Sequence, residues 1–343
     1  MSENVKDISM KEEKDLIKKM ILMVNPGDCR EIRETLNMTE KGTVKNSMEN
    51  YVTVLRKDPL LVGSLRYNRL TEKIDVTKVL WWNKEPCVLT NKGRKALRYF
   101  FEKYYGLFNE SVMDDALDLE AYSKEYHPIC EYLETLEWDG KERIRNVLKV
   151  YMGADDSDMV YEMLKHFMMG ALNRIYCPGC KFDEMLCLVG QQGAGKSTFF
   201  RFLALDDQWF SDSLKNLNME KPYELLRGHW ILEMSEMTAA ISAKSIEETK
   251  SFLSRMKETH RNPYEKYEED RPRQCVFAGS SNNRQFIPFD RTGARRFLPI
   301  EIDSSKAEKH ILDDEPEARE YFDQLWAEAM VLLNAAENKS ELL

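Results

Sequence analysis

The sequence predicts an α/β fold: a parallel-sheet core of the phosphate-loop NTPase kind with flanking helices, preceded by a smaller, mostly helical or α+β region. Three observations carry this. The short apolar runs Met185-Leu-Cys-Leu-Val189, His229-Trp-Ile-Leu232 and Cys275-Val-Phe-Ala278 have the character of strands buried on both faces. Helical patterns lie between them, and strands alternating with helices indicate a parallel sheet. The first run leads into Gly190-Gln-Gln-Gly-Ala-Gly195-Lys196-Ser197-Thr198, a glycine-rich turn ahead of a helical segment.

Along the chain, Leu16, Ile17, Met20, Ile21 and Val24 recur at helical spacing up to the break Asn25-Pro26-Gly27. A second helix is expected over 45–56. Residues 60–89 mix short apolar runs with Trp81 and Trp82 and read as a small α+β region. Residues 111–136 read as helices broken at His127-Pro128. Glu137-Trp138-Asp139-Gly140 is a turn that opens a helix through Val150, and 160–175 is an apolar helix stopped by Pro178-Gly179. Phe297-Leu-Pro-Ile300 is a further strand. A last helix starts at Pro316, a residue suited to the first helical position, and runs to about Asn334. The expected organisation is an accessory region 1–110, a helical lead-in 111–180, a core 181–302 and a C-terminal helical segment 303–343.

The 343 residues include 43% hydrophobic and 32% charged residues, enough apolar material for a sizeable core, which excludes a disordered or fibrous chain. The net charge of -9 excludes a polybasic nucleic-acid coat, although phosphate contacts need only a local patch. No run approaches the roughly 18 apolar residues of a membrane span, and the charged N-terminus lacks a signal-peptide core. A cytoplasmic chain with its seven cysteines reduced is therefore expected.

In the glycine-rich turn, Gly190, Gln191, Gln192, Gly193, Ala194, Gly195, Lys196, Ser197 and Thr198 fill every fixed position of a phosphate-binding loop. Its backbone N–H groups and the helix N-terminus favour phosphate oxygens. Lys196 is expected to reach the β- and γ-phosphates and Ser197 to ligate Mg²⁺. In Trp230-Ile-Leu-Glu233-Met-Ser-Glu236, Glu233 directly follows the apolar run and is assigned to the metal. Glu236 is assigned to the attacking water; the two roles are exchangeable. Asn282, at the tip of a third strand, suits a water or the γ-phosphate. Arg295 and Arg296 follow a glycine turn, and a guanidinium matches spreading phosphoryl charge, most strongly when supplied in trans.

From about Ser111 onward the chain resembles the virulence-associated protein E family, phage and mobile-island ATPases related to the superfamily 3 helicases of the AAA+ class. Several segments in order carry the resemblance. They are Tyr132-Leu-Glu-Thr-Leu-Glu-Trp138-Asp139-Gly140, Pro178-Gly-Cys-Lys181-Phe182-Asp183, the phosphate loop, and Trp209-Phe-Ser-Asp212-Ser213. After them come 230–236, Lys250-Ser-Phe-Leu-Ser-Arg255, Arg261-Asn-Pro-Tyr264, 279–282 and Thr292-Gly-Ala-Arg295-Arg296-Phe297. The resemblance implies an ATP-hydrolysing DNA helicase or translocase acting in replication of a phage, prophage or mobile element. It implies a homo-oligomeric ring, a hexamer, with ATP and Mg²⁺ between subunits, Asn282 as sensor and Arg295 or Arg296 as the neighbour's finger. It also implies single-stranded or forked DNA as partner, with contacts from residues 250–273. Residues 244–273 hold eight basic and seven acidic side chains, so charge alone does not point to DNA there. Residues 280 and 281 are serines where relatives often have threonines, which keeps the hydroxyls. Relatives continue past the last helix, so a chain ending at Leu343 reads as a short or truncated form. No primase signature is visible in 1–110, which places priming on another chain.

Two other classes compete. One is a nucleotide-dependent switch, assembly or defence factor without motor activity, suggested by the acidic charge. The other is a small-molecule kinase, for which no substrate pocket or lid is visible. Cys177 and Cys180 have zinc-like spacing but no second pair, and are read as free thiols. The five histidines are scattered. Trp81, Trp82 and the methionines of 163–169 are read as core.

Overall fold

The computed structural model describes residues 10–214, 222–235, 243–260, 268–282 and 294–335. The chain divides into two units, Met1–His127 and Pro128–Leu343.

The first unit opens with α1 (Met10–Met23) and α2 (Pro26–Glu34). The Asn25 side chain accepts from the Gly27 N–H, and Pro26 takes the first turn, so the expected break also starts a new helix. Next come α3 (Met48–Lys57), β1 (Leu65–Asn68), β2 (Lys73–Val76) and β3 (Cys87–Val88). The three strands form an antiparallel sheet in that order. The unit closes with α4 (Asn91–Phe100), a π turn over Phe101–Tyr105, and α5 (Glu110–Tyr122). Trp81 and Trp82 are buried edge to face with ring centroids 4.5 Å apart, and belong to this unit's core as expected. Helix α5 packs on α3 and β1. The boundary therefore falls at His127-Pro128 and not at 110/111, because residues 111–127 complete the first unit instead of leading into the second.

The second unit begins with α6 (Pro128–Glu134), α7 (Val147–Met152) and α8 (Asp158–Tyr176). The helix expected from the turn at Gly140 is confined to α7. Strand β4 (Met185–Val189) leads to α9 (Lys196–Leu203), β5 (Phe210–Ser211), α10 (Pro222–Leu226), β6 (Ile231–Met234) and α11 (Ala243–Leu253). A hairpin of β7 (Lys257–His260) and β8 (Glu269–Pro272) precedes β9 (Val276–Ser281), β10 (Phe297–Glu301) and α12 (Glu315–Ala335). The sheet runs β10-β4-β9-β6-β5 with every neighbouring pair parallel.

One of the expected strands shifts. The run beginning at His229 becomes β6, which carries the polar Glu233 inside the strand because ladder pairing with buried neighbours carries it on. The run beginning at Cys275 becomes β9, which ends at Ser281 and leaves Asn282 at its tip as expected. All five residues of β4 are buried. Met185, Cys187 and Val189 join a cluster with Leu232, Phe252, Leu253 and Phe277. Around β6, Trp230 stacks on Trp326 of α12 at 4.4 Å, and the two indole N–H groups donate to Ala171 O (3.1 Å) and Leu203 O (2.8 Å). That packing ties α8, α9 and α12 to the sheet that carries the site. Among the described residues no helix is long and apolar enough to cross a membrane.

Candidate functional site

Residues 190–195 turn the chain from β4 into α9. Gly193 and Gly195 sit at φ +81° and +78°, a region that L side chains rarely adopt. Gly190 is needed for close approach, since a Cβ there would fall 2.5 Å from Ile302 Cγ1 and 2.6 Å from Ile302 O. The loop is tied on both sides, as Gly190 N donates to Ser281 O (3.1 Å) and Ile302 N donates to Val189 O (2.8 Å).

Three adjacent strand ends bring the expected polar residues together. Lys196 Nζ donates to Gly190 O (2.8 Å), Gln191 O (2.8 Å) and Asn282 Oδ1 (2.9 Å), which uses all three of its donors. Burial pushes its pKa below the usual lysine value, partly opposed by the charge of Glu233. Ser197 Oγ donates to Glu233 Oε1 (2.9 Å). Glu233 is fully buried, and its Oε2 has no hydrogen-bond partner. Burial raises its pKa, while the hydroxyls of Ser280 and Ser197 pull the other way. A buried carboxylate oxygen without a partner, beside a serine hydroxyl, is a hard oxygen set that fits Mg²⁺. Among the described residues no group of three His, Cys, Asp or Glu side chains gathers for a metal. A cation here would therefore complete its shell with water and substrate oxygens, as Mg²⁺ commonly does.

A cavity of about 270 Å³ is lined by residues 192–198, Ser235, Ser280 and Asn282. A second, of about 300 Å³, adjoins it at Asn282 and is lined by Gly153, Asp155, Gly190, Gln191, Asp303 and Lys306 among others. Its wall is firmly built. Asp303 N donates to Met152 O (3.1 Å), and Gly153, at φ +61°, lies so near that a Cβ would fall 2.0 Å from Asp303 O.

Arg295 and Arg296 are not brought to this loop. They sit in a 3₁₀ turn before β10, whose Phe297 pairs with Met185 at the start of β4, while the loop follows the end of β4. A strand of this length separates the two edges by roughly 16 Å. Arg296 Nε donates to Asp183 Oδ2 at 2.7 Å in a largely buried ion pair, and Arg295 is exposed. Glu236, assigned to the attacking water, lies outside the described residues. So do residues 261–267 of the region matched to DNA-contacting loops. What is described there is the base of the β7–β8 hairpin. Arg273 is buried, pairs with Glu258 and stacks on Phe252, with 4.5 Å to the ring centroid. Lys257 pairs with Asp270, and Arg271 with Glu269.

Sequence reasoning assigned no role to Asp183, Ser235, Ser280 or Asp212. Asp183 and Asp212 lie inside segments that carry the family resemblance, which was the available signal.

The fold and the site define a parallel α/β phosphate-loop domain. The chain belongs to the virulence-associated protein E-like domain family, whose model matches residues 133–342. No curated protein matches. Among solved structures the chain is similar to the A form apo structure of the NrS-1 C terminal region, with a TM-score of 0.50 and 14% identity, over 81% of this chain and 68% of that one. A second A form apo structure of that region, spanning 305–718, matches with a TM-score of 0.50 and 14% identity, over 87% and 71%. At this identity the likeness concerns the fold alone.

Proposed function

We propose that the chain binds ATP with Mg²⁺ at residues 190–198 and hydrolyses it, and that hydrolysis drives a helicase- or translocase-like action on DNA in replication of a phage, prophage or mobile element. The observation that carries this reading is that Lys196, Ser197 and Asn282 line one cavity at a helix N-terminus, with the buried Glu233 hydrogen-bonded to Ser197 behind it. Loop N–H groups cradle the phosphates, and Lys196 exchanges its two loop carbonyls for phosphate oxygens. Ser197 and Glu233 would hold Mg²⁺, which when bound neutralises charge on the phosphates. Asn282 holds the attacking water or the γ-phosphate, and Glu236 orients that water. The second cavity takes the nucleoside half. Of the two arginines, the exposed Arg295, and not Arg296 in its ion pair with Asp183, acts on the site of a neighbouring subunit in a ring, taken as a hexamer. The family membership supports DNA as the partner, single-stranded or forked, contacted near the β7–β8 hairpin, with priming on another chain.

The test is ATP hydrolysis with no DNA, with single-stranded DNA and with forked DNA. We expect stimulation by DNA, and loss of turnover by about 10²–10³-fold in Lys196→Ala. A rate indifferent to DNA sinks the motor reading. Nucleotide-dependent oligomers with negligible turnover and no salt-sensitive DNA binding would favour a switch or assembly factor instead.

A further inference from the structure

One segment of the family resemblance, Trp209-Phe-Ser-Asp212-Ser213, has no part in the site as described so far. The parallel pairing of β5 with β6 sets Phe210 beside Ile231 and Ser211 beside Leu232. Carried on by one residue, that register sets Asp212 beside Glu233. In-register neighbours on parallel strands lie about 4.8 Å apart and project to the same face. Glu233 projects to the face of α9, where it meets Ser197. The charge of Asp212 acts on the Glu233 carboxylate across this strand pair. Ser213 N donates to the Ser211 hydroxyl (3.2 Å) and Leu214 is buried, so the chain leaving β5 is anchored on both sides of Asp212. Asp212 itself is exposed. One carboxylate is thus buried with an oxygen lacking a partner, and a second stands beside it with access to water.

We propose that Asp212 is a further carboxylate of the cation site, holding through a coordinated water the divalent cation that Ser197 and Glu233 ligate directly. This rests on the Mg²⁺–nucleotide reading above. Chemically, Mg²⁺ retains several waters, and an outer carboxylate that accepts hydrogen bonds from them fixes their orientation and tightens binding. An exposed side chain just past the end of the neighbouring strand is placed for that role, beside the buried Glu233.

The test uses Mn²⁺ as probe on the full chain with saturating ADP, reading free Mn²⁺ by electron paramagnetic resonance. ADP affinity in EDTA is measured alongside. Asp212→Asn is expected to weaken Mn²⁺ binding by about 10–100-fold while leaving metal-free ADP affinity unchanged. Glu233→Gln and Ser197→Ala serve as direct-ligand comparisons. Wild-type Mn²⁺ affinity in Asp212→Asn, with loss in Glu233→Gln, overturns the role of Asp212 and leaves the cation site standing. Unchanged affinity in all three variants overturns the cation site itself. An equal loss of Mn²⁺ and metal-free ADP binding in Asp212→Asn assigns the residue to loop structure and also overturns the proposal.

Discussion

Lys196 and Asn282 form the contact on which the proposed chemistry turns. The lysine is held in a buried position by two carbonyls of its own loop and by the Asn282 amide oxygen. Asn282 stands at the end of β9, between the strand that carries the phosphate loop and the strand that carries Glu233. A group in that position is suited to the reacting phosphate more than to holding the nucleotide as a whole. Asn282→Ala should therefore lower kcat by about 10–100-fold. Nucleotide affinity, set by the loop N–H groups, should stay within a few-fold. Single-turnover hydrolysis beside equilibrium binding of a non-hydrolysable analogue separates the two effects, and an equal loss in both would assign Asn282 to binding. The Lys196→Ala variant loses the phosphate cation itself, so its hydrolysis should fall further.

Within the first unit, α5 is tied to α3 through a buried acid. Glu120 accepts from Arg56 Nε (2.6 Å) and from Lys124 Nζ (2.5 Å). Burial pushes its carboxyl up, but the hydrogen bonds and charges of Lys124 and Arg56 outweigh burial and bring it below the ordinary glutamate value of 4.5. A carboxyl with a depressed folded-state pKa contributes stability above its unfolded pKa, and the contribution is lost as pH falls through the folded value. Urea unfolding of wild type and Glu120→Gln should thus differ most at neutral pH, with the gap closing as pH drops below about 4.5. A pH-independent gap would mean that the ion pairs contribute nothing. This pairing also explains why the unit boundary was hidden in the sequence. Glu120 and Arg56 lie far apart along the chain, and helical periodicity says nothing about which helix α5 packs on. Local signals were legible: the continuously apolar β4, the glycine pattern of 190–195, and the proline and asparagine that start α2. Strand β5 was not, because Phe210–Ser211 is too short to show a period. The end of β6 was misplaced because Glu233 looks like the polar stop of an apolar run. It is instead a buried strand residue paired to Ser197.

At the scale of the whole molecule, the position of the arginines matters more than their identity. The sequence left Arg295 and Arg296 equivalent, since the ion pair that distinguishes them reaches back to Asp183 on another segment. Arg296 is committed within its own chain, and breaking that pair leaves a largely buried carboxylate without its cation, which costs stability. Arg295 is exposed at the strand ends opposite the phosphate loop, which leaves it out of reach of its own loop and suits the proposed role at the loop of another subunit. Head-to-tail contacts between copies, which close into rings, would deliver it there. Arg295→Ala should then abolish hydrolysis with nucleotide binding intact, whereas Arg296→Ala should first lower the melting temperature. Mixing Lys196→Ala with Arg295→Ala, both inactive alone, should restore activity. In an equimolar random ring about a quarter of the interfaces would join an intact loop to an intact arginine, and turnover should recover to that order. Mass measurement of the mixture establishes that mixed rings have formed. Confirmed mixed rings without recovered hydrolysis would show that Arg295 does not act across the interface, and full activity in Arg295→Ala alone would remove it from the chemistry altogether.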